Sequence, residues 1–358
     1  MFVKKNVVAA AALLALAAGA AQAQVKVYGY LDASFGSYES FTFAGTAVTS
    51  DRTTRVESGN MMTSFIGFSG SEDLGGGLKA EFVLESFIGN DTGGNITNIA
   101  GGFWSRGSWV GLSGDFGRVA LGQYDNAFFT MGLSYNPFGS SMVFSPTMVS
   151  YYSLGGFVAG NNRASLGYDT GWVNSITYET PNLGGFTGAL QFAPKETSAD
   201  GSDIKNNFAI SAAYNAGPLS VMGVYTTSGS NGDAYFARQK NAGFGASYDF
   251  GAAKVSGQYS QIKDETGGFD SKAKFFQIGA TVPVTPAGNV LVSYGQTKYE
   301  DGILGFADGA KLKQFSIGYD HSISKRTGAY VAFTNQKLDE FTGDDSAKVF
   351  AVGVRHSF

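Results

Sequence analysis

Three observations predict an all-β fold, a sixteen-stranded antiparallel transmembrane β-barrel with one loop folded inward as a constriction. Apolar and polar residues alternate with a period of two along most of the chain, the mark of strands with one greasy and one wet face. Connections alternate between short turns and long polar stretches, the layout of a barrel with one short-turn rim and one long-loop rim. Beyond the N-terminal segment no run approaches the roughly 18 apolar residues of a membrane-crossing helix. Yet only 15% of the 358 residues are charged, against roughly 25% in ordinary soluble domains.

The first 24 residues join Lys4 and Lys5 to an apolar run from Val7 to Ala18 and then to Ala21-Gln22-Ala23, a small-x-small cleavage pattern. This predicts a cleaved secretory signal peptide over 1–23 and a single barrel domain over 24–358; a retained anchor is the competing reading. The chain has no cysteine, so the exported protein is expected to fold without disulfides. Loss of Lys4 and Lys5 takes the formal charge from −4 to −6, and no basic patch marks a nucleic-acid partner.

The strands read in order. In VKVYGYLDASF, Val25, Val27, Leu31, Ala33 and Phe35 alternate with Lys26, Tyr28, Tyr30, Asp32 and Ser34. LKAEFVLES sets Leu78, Ala80, Phe82 and Leu84 against Lys79, Glu81, Val83 and Glu85, and AKVSGQYS repeats the pattern. Short turns such as EDLGGG (72–77), GDFG (114–117), NAGP (215–218) and TPAG (285–288) alternate with polar stretches near 38–60, 90–103, 228–240, 263–272, 299–310 and 339–346. The hairpin count gives strands beginning near residues 24, 61, 77, 104, 117, 172, 185, 207, 218, 241, 252, 273, 288, 312, 327 and 347. The last, VFAVGVRHSF, alternates to its final residue. A closing strand must pair with the first, because unpaired backbone groups in hydrocarbon cost several kcal/mol each. Phe350, Val352, Val354, His356 and Phe358 are then expected to face lipid, with Phe358 at the interface where aromatic rings are favoured.

VYGYLDAS, SFIGFSGSEDLGGGLKAEFVLE, SWVGLSGDFGRVALGQ and the closing GVRHSF resemble the Gram-negative general porins, in particular the β-proteobacterial branch, and the resemblance spans the whole mature chain. It implies an outer-membrane homotrimer that passes ions and small hydrophilic solutes, needs no cofactor, and is surrounded by outer-membrane lipid and lipopolysaccharide. It also implies that Phe358, with His356 and Val354, is read by the barrel assembly machinery. Ala33, Gly107 and Gly111 are expected on the outward face, where small residues suit packing of barrel on barrel.

A barrel of this size leaves an aqueous lumen, so the chemistry lies in what narrows it. Residues 125–171 lack sustained alternation and hold many aromatic residues, from Phe128 to Phe157, including Phe138; they are read as a constriction loop. A cap on the outside of the barrel is the other reading. NPFGSS (136–141) matches the tip of the inward loop in similar porins. By resemblance Arg106 aligns with a wall arginine and Glu85 with a carboxylate that pairs with it. Pleat adds Asp32 and Lys26 to the lumen wall, and the loop adds Asp125, Arg163 and Asp169. Phe65 and Gly171 stand where the family often has arginine, and Asn136 where it often has an acid, so the strong transverse field of a typical constriction is not expected. Glu85 and Arg106 fit a structural ion pair as well as a selectivity role.

An enzyme is not expected. His321 and His356 are the only histidines, too few for metal clusters or histidine-based acid–base chemistry, and no hydrolase or nucleotide-binding motif occurs. A substrate-specific outer-membrane channel is the alternative to a general porin.

Overall fold

A strand in lipid has no water to satisfy its backbone, and this chain meets that constraint by closure. The computed structural model describes residues 25–44, 47–95, 102–153, 170–196, 205–229, 238–265, 270–301, 308–339, 342–343 and 346–358. The expected signal peptide, Arg163 and Asp169 lie outside the described residues.

The strands are β1 (Lys26–Ala44), β2 in two halves (Ala47–Ser58 and Phe65–Gly75), β3 (Leu78–Gly89), β4 (Gly107–Gly114), β5 (Gly117–Asp125), β6 (Gly171–Glu179), β7 (Phe186–Ala193), β8 (Asn207–Ala216), β9 (Leu219–Ser228), β10 (Gln239–Asp249), β11 (Lys254–Asp264), β12 (Ser271–Thr285), β13 (Gly288–Glu300), β14 (Lys311–Ser322), β15 (Thr327–Asp339) and β16 (Ser346–Ser357). Each pairs antiparallel with its sequence neighbour, and β16 returns to β1 from Tyr30↔Ser357 to Tyr38↔Val349, which closes the ring of sixteen. Two short pairs sit at the long-loop rim: Gly94–Asn95 against Ile88 and Gly89, and Thr342–Gly343 alongside Ala47 and Val48.

Alternation converts directly into two environments. Phe35 is 61% exposed on the outer face while its neighbour Ser34 is 3% exposed on the inner one. Phe244, Tyr259 and Phe276 stand directly opposite one another across β10, β11 and β12, an exposed apolar band on the outside of the barrel. Val352 and Val354 continue it on β16.

Two expectations are corrected. Most of the polar stretch near 38–60 is strand: β1 runs on to Ala44 and pairs with the first half of β2, with Phe35 opposite Val56 on the outer face and Ser34 opposite Glu57 on the inner one. Gly107 and Gly111 face the lumen. They stand opposite Glu85 and Glu81, and residues paired across antiparallel strands share a face. The outward residues of β4 are Val110 and Leu112, both exposed.

The seam uses the last residue. Gly29 and Phe358 exchange two backbone hydrogen bonds of 3.2 Å, and a Cβ on Gly29 would collide with the Phe358 ring. Deleting Phe358 removes both bonds and the ring that covers Gly29. The expected result is a several-fold lower yield of folded barrel, read as heat-modifiable migration on gels, with export unchanged; normal yield would refute the role given to this residue.

Candidate functional site

Residues 126–153, after β5, pack against the inner wall of the barrel. Asn126 accepts the Phe129 amide at 2.9 Å and starts helix α1 (Ala127–Ser134). Ser145, followed by Pro146 at the first helical position, caps a short helix α2 (Pro146–Met148), which runs into a wide turn over Val149–Ser153. Between them Asn136 closes the tip by donating to the carbonyls of Gly132 and Gly139 at 2.8 and 2.9 Å.

What holds this segment against the wall is one cross-strand row of inward-facing residues: Gly245, Gln258, Gln277, Gly295 and Gln314, each opposite the next on β10 to β14. The glutamines bind loop backbone and hydroxyl. Gln258 donates to Gly132 O at 3.1 Å and Thr147 Oγ1 at 2.8 Å, Gln277 accepts the Thr147 amide at 3.0 Å, and Gln314 donates to Val143 O at 3.0 Å. The glycines make room: a Cβ on Gly295 would lie 2.5 Å from Pro146, and one on Gly245 would overlap the Tyr135 ring. Glycine here serves close approach rather than a turn.

Aromatic burial supplies the rest of the attachment. Phe128, Met131, Tyr135 and Tyr151 pack with wall residues Phe275 and Tyr299 in one cluster, and Phe138 and Phe144 pack with Leu291 and Tyr330 in another. Burial pushes the phenols of Tyr135 and Tyr151 up, so both are neutral hydrogen-bonding partners, of Ser220 and Ser260 respectively.

With β8 to β14 covered, the wall carried by β3 to β6 and the short-turn end of β1 stays open. A cavity there is lined by Tyr28, Glu85, Arg106, Trp109, Asp125 and Glu179, with Thr130 of α1 facing them. Arg106 Nη1 lies 2.6 Å from Glu85 Oε2, Tyr28 donates to Glu85 Oε1 at 2.5 Å, and the guanidinium sits 4.1 Å over the Phe65 ring. Deeper along the wall, Arg118 bridges Glu81 and Glu179 at 3.0 Å each, and Tyr124 donates to Glu179 at 2.9 Å.

The sequence-predicted residues separate into three groups. Glu85, Arg106 and Asp125 converge on this cavity. Phe65 and Phe138 are buried, the first beneath Arg106 and the second under the loop tip, and Lys26 is exposed beside the Tyr28 ring at the short-turn mouth. Asp32 is a correction, since it is fully buried instead of presenting charge to the lumen. Residues 59–64, which interrupt β2, fold over it: the Met61 and Met62 amides donate at 2.7 Å each, and Tyr330 of β15 donates at 2.8 Å. Arg55, Glu57 and Arg118 are lumen charges that sequence reasoning missed. Arg118 was legible, close behind the GDFG turn and in phase with Glu81; Arg55 and Glu57 were hidden by reading their strand as loop.

Residues 9–340 match the family model described as Gram-negative porin. The chain belongs to that family. Outer membrane porin protein 32 of Delftia acidovorans is 32% identical, over 99% of this chain and all of the relative, and an outer membrane porin protein of Bordetella pertussis is 28% identical over the same shares. Among solved structures, the anion-selective porin from Comamonas acidovorans superposes with a TM-score of 0.75 at 27% identity, covering 94% of this chain and 100% of that one. The porin is therefore an outer-membrane channel for ions and small hydrophilic solutes.

Gln258 is the residue whose loss should most loosen the inner segment of the porin. Q258L removes hydrogen bonds to Gly132 and Thr147; Gly132 O keeps Asn136, but the buried Thr147 Oγ1 loses its donor, at about 1–3 kcal/mol. Single-channel records should then show added open-state current noise with the barrel intact, and a quiet trace like the parent's would count against the row as the attachment.

Proposed function

We propose that the porin is a general diffusion channel whose narrowest section lies between the Asn126–Ser153 segment and the wall that carries Glu81, Glu85, Arg106, Arg118 and Glu179, and that it has a weak preference for cations. The observation that carries this is charge pairing. Each arginine on that wall is held by at least one carboxylate, and with Asp125 the cavity side has four acids against two arginines among the described residues. Exposed charges elsewhere are screened over roughly 8 Å at physiological salt, so those at the narrow section dominate. The structurally similar porin carries anion selectivity in its name. Here Phe65 presents an aromatic face to Arg106 where a second positive charge would strengthen anion attraction.

Reversal potentials in a salt gradient test this. A modest cation preference that shrinks as salt rises is expected; R106Q should increase it and E85Q should reduce it. Strong anion selectivity in the parent protein would overturn the charge assignment, and solute flux that saturates would favour a substrate-specific channel.

The outward face of β1, β2 and β16 carries an apolar groove lined by Ala33, Phe35, Val56, Val352 and Val354, and this face suits packing of three barrels into a homotrimer. Mass measurement in mild detergent should give the trimer, and a monomer of full conductance would contradict it. Phe358, His356 and Val354 form the outward edge of the closing strand, and in this reading they are the feature that the assembly machinery engages.

A further inference from the structure

Under the first turn of α1 the inner wall falls short of the helix. Farther along, glutamine side chains reach the segment and glycines let Tyr135 and Pro146 press close. Here β7 and β8 present Ala189, Ala209 and Ser211, and a cavity of about 80 Å³ lies between them and Ala127 and Thr130 of the helix. That is room for roughly five water-sized groups at about 15 Å³ each. Tyr124, Asp125, Thr130 and Glu179 line both this cavity and the larger one described above, so it is a side chamber beside the conduction path.

Two oxygens in the chamber wall stand out. Thr177 of β6 and Gln191 of β7 lie directly opposite each other, face inward, and are each 3% exposed. The amide nitrogen of Gln191 is already engaged, donating to Tyr124 O at 3.1 Å and to Ser175 Oγ at 3.3 Å. This fixes which way the amide is turned. Neither Gln191 Oε1 nor Thr177 Oγ1 has a hydrogen-bond partner among the described residues, and buried polar atoms in that condition are rare enough to call for a reason.

The chemistry that completes this pair is narrow. Gln191 Oε1 needs a donor, and the Thr177 hydroxyl has a hydrogen to give to an acceptor. One hydroxyl group answers both, because it donates and accepts at once. An ammonium can only donate, and a carboxylate can only accept and would meet Asp125 and Glu179 at the mouth. Ala127, Ala189, Ala209 and Met222 make the remaining wall apolar, which suits methylene groups better than a cluster of water.

We propose that this side chamber is a binding site for a small neutral polyol of about five non-hydrogen atoms, with one hydroxyl bridging Thr177 Oγ1 and Gln191 Oε1 and its carbons against the alanines and Met222. The inference rests on the place of α1 inside the barrel and is independent of the charge assignment in the lumen.

The test uses the full-length porin in detergent, with 1,3-propanediol as the probe because it stays in water instead of entering the micelle. Saturation-transfer NMR should show saturable binding to the parent, with a dissociation constant on the order of millimolar, within reach of so small a ligand. T177V keeps the shape of the side chain but not its hydroxyl, and should bind at least about tenfold more weakly; T177S restores the hydroxyl and should bind like the parent. A209L fills the chamber and should abolish binding. Propylammonium and propionate, of similar length, should not compete. Parent and T177V should conduct alike and give the same reversal potential, which separates failure of this site from failure of the channel reading. Equal binding by parent and T177V would overturn the proposal, as would the absence of saturable binding to the parent, and competition by propylammonium would overturn the assignment to a hydroxyl. If T177V does not fold, parent against A209L decides the matter, and equal binding by those two has the same consequence.

Discussion

Everything in this molecule follows from the cost of an unpaired backbone group in hydrocarbon. Sixteen strands can satisfy that cost only as a closed ring, and closure in turn fixes which face of each strand meets lipid. The outer face is then free to be Val, Phe and Ile in any close-fitting order, while the inner face must accommodate water and a folded-in segment. The same constraint explains why β1 and β16 engage down to Gly29 and Phe358.

The inner segment poses a second problem, since its own backbone needs partners in a place where no strand can pair with it. The glutamine and glycine row answers both needs at once. Glutamine supplies a donor and an acceptor at the end of a side chain long enough to reach loop carbonyls and amides, and glycine lowers the wall where Tyr135 and Pro146 press against it. Where the segment touches the wall the contacts are therefore uncharged hydrogen bonds and close packing, and two ionised clusters face the open cavity, Glu85–Arg106 and Glu81–Arg118–Glu179.

Most of the barrel was legible because period-two alternation is enforced by two solvents, and a strand such as VKVYGYLDASF carries the signal in every residue. The pairing of Glu85 with Arg106 was legible by resemblance and by phase. Asp32 was not, because its burial depends on residues 59–64, an interruption of β2 that carries no periodic signal and reaches it only in three dimensions. For Phe138 the sequence shows an aromatic at a loop tip, and only packing shows it turned into the wall against Phe144 and Tyr330.

The contact between Asp32 and Tyr330 joins the first strand to the fifteenth, passing over the closing strand between them, where Gly353 leaves space for the ring. A seam made only of backbone hydrogen bonds is tolerant of error, because a strand that slips by two residues keeps its faces and most of its bonds. Such a slip would carry Tyr330 about 7 Å from the carboxylate and strand a buried, amide-capped charge one donor short. The pair thus works as a checksum on assembly: it is satisfied by one alignment of the two ends of the sheet, and it reports a misaligned closure as an energetic penalty at the place where the ring is sealed.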